Sequence, residues 1–316
     1  MASINRPSTT GASTTGAGPL WTPDADRVAA SQVDAFRRTV GVDGGYRDLH
    51  RWSIDHPADF WRAAWDQLGV VGDPGPTVVD HGAPGGRPGH LTDTRWFPDG
   101  CLNFAENLLG TADDRPALVY RGEDPDVPGA RRTLTRRDLH DLVSRLQQAL
   151  VESGVEPGDR VAAWLPNVPE TVAVMLAAAS IGATFSSTSP DFGASGVIDR
   201  FGQIRPVVLF ATDGYRYGGR RHDVTDRLAE VSDALDGVRR VVVVPEDPAA
   251  GPVGPIPDGA VSLGDFLAPH EPEPVRFLDL PFDHPLYVLY SSGTTGRPKC
   301  IVHRAGGILL KHLVEH

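Results

Sequence analysis

The sequence predicts an α/β fold, a doubly wound and mostly parallel sheet flanked by helices. Three observations carry that expectation. Between Thr135 and Val244, short apolar runs alternate with longer segments whose apolar residues recur at helical spacing. Glycine and proline mark the junctions, as at Gly154 and Pro157-Gly158. Near the carboxyl end a polar loop, Ser291-Ser292-Gly293-Thr294-Thr295-Gly296-Arg297-Pro298-Lys299, separates apolar runs at 286–290 and 300–302, as a hairpin connection would.

In chain order, residues 1–18 are rich in Ser, Thr and Gly with no apolar core and read as a loose tail. Residues 19–101 read as a helical and irregular segment. Within it, Phe60, Trp61, Ala64, Trp65 and Leu68 form an apolar stripe on a helix over 57–68, and Pro and Gly dominate 69–89. Regular structure begins near residue 102. Thr135 caps a helix with Asp138 at the reciprocal position, and Leu139, Leu142, Val143, Leu146 and Leu150 are its buried face. Strands follow at 161–165, 183–186, 207–210 and 241–244. They are interleaved with helices over 169–181 (proline in the first turn), around Val197, Ile198, Phe201 and Ile204, and over 224–235. Prolines at 245, 248, 253, 255 and 257 mark a surface connection within one domain. After the polar loop, Gly306-Gly307 turns the chain into a helix over 308–313.

Bulk properties narrow the function. At 316 residues, 40% hydrophobic and 22% charged, the chain is long enough for a sizeable core. A net charge of -11 argues against a nucleic-acid or anionic-membrane binder. Only Cys101 and Cys300 occur, too few for a disulfide framework or a Cys-based zinc site, and the apolar run over 171–183 is shorter than a membrane span. These features predict a soluble protein of the reducing cytoplasm. No histidine pair has metal-ligand spacing, so no metal site is assigned; His284 reads as a structural histidine.

The chemistry concentrates in residues 291–299. Glycines let a backbone turn tightly and present N–H groups to an anion, the Ser and Thr hydroxyls donate further hydrogen bonds, and Lys299 adds positive charge. A P-loop would need G-x-x-x-x-G-K-[ST] opening a helix. Here Gly293 and Gly296 are too close, Pro298 precedes the lysine, and Cys300 follows it. An ordinary polar turn, with Lys299 solvated, is the competing reading. A second cluster, Arg216-Tyr217-Gly218-Gly219-Arg220-Arg221, gathers guanidinium forks suited to phosphate, and reads equally as a charged, solvated loop.

Residues 291–299 resemble the phosphate-binding signature of the adenylate-forming superfamily. Leu102-Asn103-Phe104-Ala105-Glu106-Asn107-Leu108-Leu109, Ser186-Ser187-Thr188-Ser189-Pro190-Asp191-Phe192-Gly193 and Gly306-Gly307-Ile308-Leu309-Leu310 are similar to the acetoacetyl-CoA synthetases within it. The resemblance covers residue 20 onward. It implies ATP-dependent conversion of acetoacetate to an acyl-adenylate and transfer to coenzyme A, with Mg2+ accompanying ATP. Ser291, Ser292, Gly293, Thr294, Thr295, Gly296 and Lys299 would hold the β- and γ-phosphates. Arg216 and Arg220 would hold the 3'-phospho-ADP end of coenzyme A, and His303, Gly306 and Gly307 would lie near the substrate cleft. It also implies that residues 102–316 are part of the large N-terminal domain, truncated after the phosphate loop. The adenine- and ribose-binding segments and the adenylating lysine would lie beyond it, so no catalytic residue is named and the chain alone is expected to be inactive. An acetyl- or propionyl-CoA synthetase-like ligase and a non-catalytic, partner-binding remnant stay open as alternatives, and oligomeric state is not implied.

Overall fold

The computed structural model describes residues 21–82, 93–247, 251–291 and 296–315. The chain forms two compact units, Met1–Ala63 and Ala64–His316. In the first, short helices Ala25–Ala29, Gln32–Thr39 and Tyr46–Asp55 precede Pro57–Gln67, the helix expected over 57–68. Phe60 packs edge-on to Phe36 and Trp52, with ring centroids 5.6 and 6.4 Å apart.

The second unit is built on a seven-stranded sheet. Its strands are β1 (Arg160–Trp164), β2 (Thr184–Thr188), β3 (Val208–Thr212), β4 (Arg240–Val244), β5 (Val261–Ser262), β6 (Pro285–Tyr290) and β7 (Cys300–Arg304). Their spatial order is β5-β4-β3-β1-β2-β6-β7, parallel except that β7 runs against β6. The principal helices are α1 (Arg136–Glu152), α2 (Pro169–Ser180), α3 (Ala194–Ile204), α4 (Thr225–Ala234), α5 (Leu263–Leu267) and α6 (Ala305–Glu315). From β1 the chain crosses through α2 to β2, then returns through α3 to β3 on the other flank of β1. Strand order therefore reverses at β1, the arrangement that opens a crevice at strand C-termini in doubly wound sheets.

Both faces of the sheet are covered, as near-continuous apolar strands require. Ala162 and Trp164 of β1, Leu209 and Ala211 of β3 and Val243 of β4 pack under Val197 and Phe201 of α3 and Leu228 and Val231 of α4. Strand alternation turns Val161 and Ala163 to the opposite face, where α2 packs on β1 and β2 and α1 packs on α2. The Thr135–Asp138 capping box forms as expected. Leu139, Val143, Leu146 and Leu150 of α1 are buried, whereas Leu142 is only half-buried.

Polar side chains on this apolar scaffold pin the segments that lack regular structure. Gln147 of α1 donates to Ser180 Oγ and Arg276 O, both at 2.6 Å, and accepts from Arg276 N at 3.0 Å. Asn103 is buried. Its Oδ1 caps the helix Phe104–Leu109, and its amide donates to Ser180 O at 3.0 Å and Leu278 O at 2.9 Å. The motif at 102–109 thus has a mechanical role, joining a helix start, the end of α2 and the chain entering β6.

Two local readings are corrected. The Arg216–Arg221 cluster is not a loop but part of an antiparallel hairpin, Gly214–Tyr217 with Arg220–Asp223. Gly218 and Gly219, at φ +62° and +74°, form its two-residue turn, which needs two left-handed residues. Gly306 and Gly307 do not turn the chain into a helix; they lie inside α6, which begins at Ala305, and neither has positive φ. A side chain at Gly306 would overlap the Phe282 ring, whereas one at Gly307 would meet nothing within 4 Å. Residues 251–260, after β4, lie at the surface as expected, and Val253 N anchors them by donating to Asp213 at 2.7 Å.

Tyr290, the last residue of β6, has its hydroxyl 3.0 Å from Ser186 Oγ of β2, which also donates to Val288 O at 2.8 Å. Burial pushes its phenol up to about 12.

Two predictions follow from this packing. Gly306→Ala should cost about 1–3 kcal/mol by overpacking, while Gly307→Ala should be neutral or stabilising by up to about 1 kcal/mol, both read from urea unfolding. Because the folded-state value of Tyr290 lies above its ordinary 10.0, its contribution to stability is complete below pH 10 and is lost as pH rises to about 12. Tyr290→Phe should therefore lose less stability than the wild type across that window in the same titration.

Candidate functional site

The hairpin loop 291–299 lies beyond the C-terminal end of β6. Because β6 is parallel to β2, with Tyr287 opposite Phe185 and Val288 opposite Ser186, this is the same sheet edge at which β1 to β4 end. The ladder pairs Tyr290 with Cys300, and Ser291 N donates to Lys299 O at 3.0 Å across the loop base. Gly296 has φ +95°, a conformation that favours glycine. Lys299 is exposed at the entrance to β7 and Ser291 is half-buried. Ser292, Gly293, Thr294 and Thr295 lie outside the described residues.

The trailing leg of the loop is held by α3. Gln203 Nε2 donates to Pro298 O at 2.9 Å, and Arg297 approaches Asp199 at 3.9 Å. The leading leg rests on the same helix, with Phe201 6.5 Å from the Tyr290 ring and the Arg200 guanidinium 5.9 Å over it.

Farther along the same edge, the ends of β1, β2, β3 and β4 open into a cavity of about 430 Å³ lined by Arg132, Glu170, Asp191, Arg216 and Glu246 among others. Two charge networks shape it. Arg132 and Glu170 form a bidentate pair at 2.5 and 2.9 Å, with the Tyr120 ring 5.3 Å from the guanidinium. The hydrogen bonds that Arg132 donates to Glu170 hold its proton more firmly than usual, against the cost of burial. Arg216 lies 2.8 Å from Glu246 through Nε and 3.5 Å from Asp124 through Nη1. The Arg216–Glu246 contact is an ion pair without good hydrogen-bond direction, since neither facing atom completes a hydrogen bond. Glu246 also accepts from Arg221 Nε at 2.8 Å, and Arg221 approaches the fully buried Asp213 at 3.4 Å. Asp213 in turn accepts from Glu246 N and Val253 N, at 2.8 and 2.7 Å.

Of the two arginines singled out, only Arg216 lines the cavity. Arg220 is exposed on the second strand of the hairpin, and its side chain has no hydrogen bond or ion pair among the described residues. His284 is structural: its Nε2 lies 2.8 Å from Gly182 O. His303 is half-buried on β7, its ring 5.2 Å from that of Tyr287. Among the described residues no cluster of histidine, cysteine and carboxylate side chains suits a metal ion, and no helix is long and apolar enough to cross a membrane. Both cysteines are free.

Sequence reasoning missed Glu170, Asp213, Glu246 and Gln203. Glu170 follows Pro169 in a first helical turn, where an acid is ordinary. Asp213 and Glu246 each sit one or two positions past a strand of the sheet, the one signal that points to them.

The described residues place two features on one edge: the base of a hairpin with Lys299 exposed at it, and a cavity rimmed by paired guanidinium groups. The family described as AMP-binding enzyme matches residues 104–314, and that described as acetyl-coenzyme A synthetase N-terminus matches residues 46–108. An acetoacetyl-coenzyme A synthetase of Rhizobium meliloti (strain 1021) is 46% identical over 303 residues, covering 94% of this chain and 45% of that protein. A malonamoyl-CoA synthetase of Penicillium aethiopicum is 38% identical over 317 residues, covering 94% of this chain and 42% of that protein. A solved structure, acetoacetyl-CoA synthetase from Streptomyces lividans, superposes with a TM-score of 0.82 at 41% identity, again over 94% of this chain and 45% of that one. The chain thus spans a little under half the length of the relatives it matches, and it belongs to the AMP-binding enzyme family.

Proposed function

We propose that the chain supplies the N-terminal part of an ATP-dependent acid–thiol ligase that converts acetoacetate to acetoacetyl-CoA. The observation that carries this reading is the position of loop 291–299 at the carboxyl edge of the sheet, in a chain 46% identical to an acetoacetyl-coenzyme A synthetase over 303 residues.

A carboxylate is a poor electrophile. Its oxygen attacks the α-phosphorus of ATP, the bond to pyrophosphate breaks, and an acyl-adenylate forms. The thiol sulfur of coenzyme A then attacks the acyl carbon, loses its proton and expels AMP. In the first step negative charge grows on the departing pyrophosphate, and Ser291, Ser292, Gly293, Thr294, Thr295, Gly296 and Lys299 are assigned to hold it through N–H, hydroxyl and ammonium donors. Such preorganised donors matter in a chain of net charge -11, which otherwise repels ATP. Arg216 and Arg220 are assigned to the phosphates of coenzyme A. Arg216 would reach them at the cavity rim while its other edge stays on Glu246, and Arg220 from its exposed position on the second hairpin strand. His303, Gly306 and Gly307 are assigned to the acid side of the cleft. No described cluster fits magnesium, so it enters only as the ion accompanying the phosphates of ATP, with no step assigned to it. The reaction belongs in the cytoplasm, with small molecules rather than nucleic acid as partners.

A second reading is activation of another small acid. It is favoured by the match to the acetyl-coenzyme A synthetase N-terminus and by the likeness to a malonamoyl-CoA synthetase.

Acid-dependent ATP–pyrophosphate exchange, run on the protein expressed from the intact reading frame that contains this chain, tests both. Exchange with acetoacetate should exceed that with acetate, propionate or malonamate; equal or reversed rates defeat the narrower assignment. Lys299→Ala should slow exchange on the order of 10²- to 10³-fold, the usual effect of removing one preorganised donor. It should leave the unfolding midpoint in place, because Lys299 is exposed; unchanged exchange would refute its role.

A further inference from the structure

We infer that Gln203 of α3 is a positioning residue for the phosphate loop, fixing the peptide that leads into Lys299. Its amide nitrogen carries two hydrogens and faces two carbonyls, Asp199 O at 2.8 Å and Pro298 O at 2.9 Å. Both neighbours are acceptors only, so the nitrogen and not the oxygen must face them. One hydrogen ties the side chain to its own helix and the other ties the helix to the loop.

The place of that second bond gives it leverage. Pro298 has no N–H, so its carbonyl is the backbone group by which residue 298 can be held. The next carbonyl, Lys299 O, accepts from Ser291 N at 3.0 Å. The 298–299 peptide is therefore gripped by α3 on one side and the 299 carbonyl by the leading leg on the other, and the direction in which Lys299 leaves the sheet follows from both. The companion contact, Asp199 with Arg297 at 3.9 Å, joins two exposed side chains and adds little. Gln203 is half-buried and does not suffer that dilution.

The helix is a firm base for this grip. Val197 and Phe201 are fully buried in the core under α3, and Arg200 covers the Phe192 ring at 4.0 Å before reaching Tyr290. Residues 291–299 carry two glycines, four hydroxyl side chains and no large apolar side chain, so an external hydrogen bond at the exit, on Pro298, has leverage on the peptide it holds.

The purpose assigned to Gln203 rests on the polyphosphate reading of the loop, but its test needs no nucleotide. Hydrogen–deuterium exchange, read by mass spectrometry on the protein expressed from the intact reading frame that contains this chain, compares wild type with Gln203→Leu and the volume-conserving Gln203→Glu, which replaces the donor by an acceptor. Peptides spanning residues 286–304 should exchange on the order of fivefold faster in both variants, as expected for one lost hydrogen bond, with peptides over 160–164 and 184–188 unchanged. Equal exchange over 286–304 in wild type and variants would overturn the inference. So would acceleration spread over the whole sheet, because Gln203 would then be merely structural. Where Gln203→Leu fails to fold, Gln203→Glu carries the comparison. Added Mg·ATP separates the two readings: wild-type loop amides that gain no protection count against phosphate binding, whereas unchanged variant exchange counts against Gln203.

Discussion

Parallel pairing of β6 with β2 is the constraint on which the site depends. Tyr287 and Val288 lie beside Phe185 and Ser186, and the Ser186 hydroxyl reaches both Val288 O and the Tyr290 hydroxyl. That short ladder directs the end of β6 to the edge where β1 to β4 also end, so the hairpin loop and the cavity share one rim. Antiparallel pairing at this position would send the loop to the opposite edge. The reversal of strand order at β1 opens the crevice, and the β6 ladder brings the polar hairpin connection alongside it.

Charge around the cavity is arranged in compensated sets. Arg132 is forked onto Glu170, and Arg216 and Arg221 share Glu246, with the buried Asp213 behind them. A buried carboxylate such as Asp213 is tolerable only because two backbone N–H groups and a guanidinium meet it. The pairing also makes the hairpin that carries Arg216 rigid, because Glu246 belongs to the exit of β4 and Asp124 to another hairpin connection. An arginine fixed along one edge keeps its remaining donors aimed, which suits recognition of a phosphate better than a free lysine would.

The alternation of apolar runs and helical stripes located the strands of the seven-stranded sheet and the principal helices from α1 to β4 to within about three residues, because period and punctuation are local properties of the chain. The hairpin was equally legible, because two apolar runs flank a polar connection and the strands they form pair across it. The arginine hairpin was misread because a Gly-Gly pair between charged residues looks like any solvated loop, and only the cross-strand ladder distinguishes the two. Gly306 was misread for a similar reason. Its need for hydrogen in place of a side chain comes from Phe282, which is distant in sequence.

By itself, then, the sequence determined the fold class, the order of the elements and the chemical character of residues 291–299, since these follow from spacing and side-chain type. Tertiary structure alone decided which carboxylates neutralise which arginines, that Asn103 and Gln147 hold irregular chain in place, and that Gln203 reaches Pro298. Apart from Arg221–Asp213, those contacts join residues tens to more than a hundred positions apart. Their distances are set by how sheet and helices pack, and no local pattern in the chain encodes them.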